Sequence, residues 1–137
     1  MRIGLGLLVF AALVSIGCGR APDRVGVTGQ VVFEDGQPVD HGMIEFAPIE
    51  TQNAVGAGAV ILSGSYKVPR AKGLRLGRYR VRIYQADRIA QQAGPPGSVP
   101  VERPKEQIAA KFNSETELTA EIGVLEDQRL DYRVQHR

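Results

Sequence analysis

Few residues of this 137-residue chain have the type and spacing that chemistry needs. Cys18 is the only cysteine. A thiol without a disulfide partner is odd in a secreted chain unless it is modified; otherwise Cys18 is a small residue at an ordinary cleavage site. His41 follows Asp40 and stands four positions before Glu45, so an acid and base pair is conceivable there. Nothing nearby supplies a nucleophile held against the imidazole, and a polar turn after Pro38 accounts for the same residues. His136, the other histidine, is next to the last residue, where fraying is expected. Arg78, Arg80 and Arg82 recur at period two within a basic group that also holds Arg70, Lys72 and Arg75. A row of guanidiniums binds carboxylates or phosphates bidentately, which suits anionic lipid headgroups or polysaccharide; the same row also serves to guard an exposed strand. No pattern calls for a metal or a cofactor.

The elements that must position these residues begin with the amino terminus. After Met1-Arg2, residues Ile3 to Ile16 carry no charge. As a helix this stretch spans roughly 21 Å, short of a hydrocarbon core about 30 Å thick, and fits the apolar region of a signal peptide better than a transmembrane helix. Ser15-Ile16-Gly17-Cys18 resembles the lipobox of bacterial lipoproteins, with serine where leucine is usual. That resemblance implies cleavage before Cys18 and acylation of its sulfur. Residues 1–17 are then the leader, 18–24 a lipidated tether with Pro22, and 25–137 the folded domain. Loss of the leader removes Arg2 and no acid, so 17 basic side chains become 16 against 15 acidic ones. A domain so near neutrality lacks the electrostatic footprint of a nucleic-acid binder.

Beyond the tether the chain has length for one hydrophobic core. Sixteen glycines, no tryptophan and short alternating runs of Val and Ile describe an all-β domain with many turns. Val25, Val27, Val31 and Phe33 share one strand face, and Asp35-Gly36 places a tight turn after it. Ile44 and Phe46 mark a second strand that Pro48 ends or pushes to an edge. The Val55–Leu62 stretch, the turn at Ser63-Gly64-Ser65 and Tyr66–Val68 read as a hairpin. Tyr79, Val81 and Ile83 alternate with the three arginines and form the clearest amphipathic strand. Ile108, Ala110 and Phe112 predict a shorter strand, as do Leu118, Ala120 and Ile122, then Leu130, Tyr132 and Val134. Between them, Asp87 to Glu106 holds four prolines and two glycines and reads as a long loop, with room for one helical turn over Asp87–Gln92.

Seven to eight short strands imply a two-layer antiparallel β-sandwich. Val27-Thr28-Gly29-Gln30-Val31, Asp35-Gly36-Gln37-Pro38-Val39, Gly64-Ser65-Tyr66 and Gly77-Arg78-Tyr79-Arg80-Val81 together resemble the carboxypeptidase-regulatory-like group of transthyretin-type sandwiches. Lys111 to Thr119 is similar to a stretch that recurs in small bacterial lipoproteins carrying this domain alone. The resemblance implies a transthyretin-like fold, an envelope location and no assigned catalytic residues.

The expected function is therefore that of a non-enzymatic binding or assembly module. It is held to membrane lipid through acylated Cys18, faces the periplasm or the cell surface, and meets an envelope protein or polysaccharide through loops or a sheet edge. The alternative is a small-molecule hydrolase of transthyretin-related type centred on His41. That family's paired histidines and characteristic carboxyl-terminal tail have no match in Asp131 to Arg137. An iron site built from the histidines and from Tyr66, Tyr79, Tyr84 and Tyr132 lacks a His-x-His pair. A lysine-to-asparagine cross-link lacks a lysine on the first strand.

Overall fold

The computed structural model describes residues 23–50, 55–85 and 105–137. The expected leader, Cys18, Pro22 and all but the end of the Asp87–Glu106 stretch, with its expected helical turn, lie outside the described residues. Eight strands form: β1 Val27–Phe33, β2 His41–Pro48, β3 Ala57–Leu62, β4 Ser65–Val68, β5 Gly77–Tyr84, β6 Thr119–Ile122, β7 Gln128–Arg129 and β8 Tyr132–Val134. They join one sheet in the order β6-β5-β2-β3-β4-β1-β7, with β8 also on β1. Among the described residues there is no α-helix.

Local patterns account for most of these elements. In β1 every inward position is buried or is Gly29, while Thr28 and Gln30 are exposed, as strict alternation on a half-buried strand requires. In β5, Tyr79, Val81 and Ile83 are buried and the intervening arginines point outward. Ile44 and Phe46 fill the core from β2, and Pro48 is its last residue. The β3–β4 hairpin closes over Ser63 and Gly64 with φ of 48° and 80°, the two positive values that a primed two-residue turn demands. Gly36 supplies positive φ after β1.

The sheet is mixed, which corrects the expectation of purely antiparallel pairing. β1 runs parallel to β7 at Val27 and Thr28, and parallel to β8 from Val31 to Phe33. A parallel pair needs a long connection, and here nearly the whole domain intervenes between the partners. Two carboxylates fasten this late return: Asp127 Oδ1 accepts the Gly26 N–H at 2.9 Å, and Asp131 Oδ1 accepts the Gln30 N–H at 2.8 Å, each across 101 positions. Asp127 Oδ1 also accepts from Arg70 Nε at 2.9 Å. Asp127→Ala removes both bonds and should cost about 1–2 kcal/mol, and Asp127→Asn, which keeps an acceptor, should fall between it and the parent in thermal melting.

The strand expected over Ile108–Phe112 is corrected too. Ile108 makes one antiparallel bridge to His136, and Ala110–Phe112 is a 3-10 turn. The reason is local competition for backbone groups: the Phe112 N–H bonds to Ala109 O at 3.0 Å, and the buried Asn113 amide donates to Ile108 O at 3.2 Å. The carboxyl end is held rather than frayed. His136 stacks on Phe33 at 3.8 Å between ring centroids and approaches Asp35 at 3.6 Å, and the Arg137 N–H bonds to Gln107 O.

Segment 106–118 brings the two ends of the curled sheet together. Glu106 accepts the Gln85 N–H beyond β5, the Ala109 N–H reaches Gln135 O beyond β8, and the Thr116 hydroxyl donates to Val81 O at 2.7 Å. The core enclosed by this curl runs from Val25 to Val134 and is built mainly from Val and Ile.

Candidate functional site

The outward face of β5 and its neighbours is where the sequence places its basic row. Because Tyr79, Val81 and Ile83 turn inward, Arg78, Arg80 and Arg82 share the opposite face at a two-residue spacing of about 6.6 Å. Register sets what faces them. Arg78 lies opposite Glu121 of β6, Arg80 lies between Thr119 of β6 and Ala47 of β2, and Arg82 lies opposite Glu45 of β2. Arg78 also donates to Glu50 Oε1 from Nη2 at 3.2 Å.

The row is thus interleaved with acids, and its net field is far weaker than three adjacent guanidiniums suggest in the sequence. Arg80 alone has no acid directly across from it. Arg80 and Arg82, with Ala47, Pro48 and Ile49, line a shallow depression of about 210 Å³. It presents two guanidiniums to solvent, with Arg82 opposite Glu45, so any ion pairing there is weakened by salt. A second hollow of about 540 Å³ lies along Lys111, Phe112, Glu115, Glu117 and Leu118, with Lys111 Nζ 5.1 Å from the Phe112 ring centre.

Two others of the basic group are spent on structure. Arg70 pairs with Asp127 and Arg75 with Asp23, each at 2.9 Å. Lys72 closes the 3-10 turn Arg70–Lys72.

His41 stands at the start of β2 with Nδ1 3.3 Å from Asp40 Oδ2, and both side chains are mostly exposed, at 68% and 75%. Glu45 lies four residues further along the same strand face, roughly 13 Å away at 3.3 Å per residue, so the three groups are not brought to one point. The tyrosines hold the scaffold. The Tyr66 hydroxyl donates to Leu130 O at 2.6 Å, and the Tyr79 hydroxyl donates to Arg75 O at 2.8 Å while accepting the Arg75 N–H. Burial raises the Tyr66 phenol far above its ordinary range, and it pushes Tyr132 up to about 12. Asp131 is held low, first by its bond from Arg129 and then by the Gln30 N–H. Among the described residues no group of three or more His, Cys, Asp or Glu side chains is placed to hold a metal, and no helix is long and apolar enough to cross a membrane.

Sequence reasoning missed two features. One is the pair of carboxylates, Asp127 and Asp131, whose partners are known only once the chain has folded. The other is a set of exposed apolar residues, Leu76, Val124 and Leu125, at one end of the sheet. The available signal was that all three fall outside any alternating run. Comparison with protein-family models, with curated proteins and with solved structures finds no match to this chain.

Proposed function

We propose that this chain is an envelope lipoprotein, anchored through acylated Cys18, whose folded part is a transthyretin-like β-sandwich acting as a non-enzymatic binding or assembly module. The observation that carries the reading is the placement of the one cysteine. It follows an uncharged run and Gly17, and it stands five positions before Asp23, the first described residue. A two-layer arrangement is favoured by the joint between β3 and β4, which share the single pair Leu62–Ser65, so that the sheet can fold over there. Two surfaces suit a partner: the Arg80 and Arg82 depression, which fits an anionic group, and β6, the last strand in the sheet order on its side, which can accept an added strand.

The test is intact mass and detergent partitioning of the chain made in a bacterium, beside Cys18→Ser. The expected mass is that of residues 18–137 bearing acyl groups. At about 0.8 kcal/mol per buried methylene, losing even one long chain should reduce partitioning by more than ~10³-fold. An unmodified, detergent-indifferent product from both chains would end the lipoprotein reading.

A further inference from the structure

Three of the large apolar side chains exposed on this domain gather at one end: Leu76 at 51%, Val124 at 54% and Leu125 at 45% exposure. They belong to two adjacent loops. Leu76 immediately precedes Gly77, whose partner across the sheet is Ile122, and Val124 and Leu125 follow Ile122 by two and three residues. Arg70 ties the loops together, donating to Leu125 O and to Asp127.

The chain enters the domain at this same end. Asp23 pairs with Arg75, the neighbour of Leu76; Arg24 donates to Gly73 O; and Val25 bridges Leu74. From the proposed anchor at Cys18 to Asp23 there are five residues, whose covalent reach is at most about 18 Å. A domain held by so short a leash cannot turn this end far from the bilayer surface.

We infer that this end rests on the lipid surface, with Leu76, Val124 and Leu125 entering the interfacial region. The inference rests on the reading of Cys18 as the acylated residue. The chemistry is that of an interfacial contact made by apolar tips, next to Arg70 and Arg75, which are paired with Asp127 and Asp23, and to Arg24, which donates to Gly73 O. With Arg70 and Arg75 already paired, the apolar tips supply most of the attraction. Lipid is favoured over a protein partner because the tether brings a bilayer to this end whatever else is present. The contact also gives the domain a direction. β1 leaves the membrane end at Val27 and carries the Asp35-Gly36 turn roughly 23 Å outward, at 3.3 Å per residue over seven residues.

The experiment uses the full chain made in a bacterium and reconstituted into vesicles of phosphatidylethanolamine and phosphatidylglycerol. Because acylation occupies the only native thiol, Val124→Cys supplies one thiol for an environment-sensitive fluorophore, and Gln37→Cys at the far turn is the control. The expected result is a blue shift and several-fold weaker iodide quenching at position 124 on vesicles, with no change at position 37. Leu76→Cys gives the same readout should Val124→Cys fold poorly. Equal quenching at both positions in a chain whose mass shows acylation overturns the contact and leaves the anchor standing. Shielding at position 124 that precedes vesicle addition and grows with protein concentration assigns the surface to a second copy and overturns the lipid contact. An unmodified Cys18 in a chain that does not float with vesicles overturns the anchor and this inference together.

Discussion

Gly29→Ala should be the most damaging single-methyl change in this domain, costing about 4 kcal/mol in a denaturant titration. A Cβ at this position would stand 1.8 Å from the Leu130 carbonyl oxygen, 2.7 Å from its carbon and 2.9 Å from Tyr66 Cε1. The nearest obstacle is backbone, which cannot rotate aside. Leu130 is also pinned on both sides: its N–H bonds to Thr28 O at 2.8 Å, and its carbonyl accepts the Tyr66 hydroxyl. Making room for one methyl therefore breaks a buried hydrogen bond as well as overpacking the strand, and those two costs are about 1 and 1–3 kcal/mol, with more where the backbone must move. The comparison that isolates the effect is Gly36→Ala. There φ is +88° and no atom lies within 4 Å of the new Cβ, so only the left-handed backbone is strained, at about 1–2 kcal/mol. If both substitutions cost the same, the close approach of β1 to the returning chain is not present in solution.

Raising the pH should unfold the domain cooperatively near pH 12. Tyr66 and Tyr132 both ionise later in the folded protein than the ordinary tyrosine value of 10, because burial disfavours the phenolate, and Tyr79 is raised for the same first cause. A folded value above the unfolded one means that the unfolded chain releases its protons first. The contribution of each phenol is intact below pH 10 and is lost as pH rises through the interval up to the folded value. Between pH 10 and 12 each such tyrosine steepens the loss by at most about 1.4 kcal/mol per pH unit. Two of them remove up to roughly 5 kcal/mol, comparable with the total stability of a typical domain. Tyr66→Phe should cost about 1 kcal/mol at neutral pH through the lost bond to Leu130 O and should flatten the alkaline slope by one tyrosine. Phenolate absorbance that appears for every tyrosine near pH 10, with the fold intact, would sink the prediction.

The two cases show where the sequence is readable. The alternation Val27, Gly29, Val31, Phe33 identifies the inward face of β1, and the same rule identifies Tyr79, Val81 and Ile83, because side chains on a strand leave on opposite sides in turn whatever lies beyond them. The turns at Asp35-Gly36 and Ser63-Gly64 are legible for an equally local reason, since positive φ is open mainly to glycine and small polar residues. Where the same local rule was applied to Ile108, Ala110 and Phe112 it failed: three residues are too few to outweigh the turn bonds of Ala109 and Asn113. The arginine row shows a subtler limit. Its face was readable and its electrostatic character was not, because Glu45 and Glu121 are brought opposite it only by register.

From the sequence alone came the strand faces, the tight turns, the uncharged run from Ile3 to Ile16 and the lone Cys18 on which the proposed anchor rests, all of them legible within a few neighbouring residues. Only the tertiary structure decided that β7 and β8 return parallel to β1, that Asp127 and Asp131 fasten that return, and that Leu76, Val124 and Leu125 lie at the end where Asp23 pairs with Arg75. Those outcomes depend on which segments, up to 101 positions apart, bury the most apolar surface while satisfying each other's backbone groups, and no local period encodes that choice.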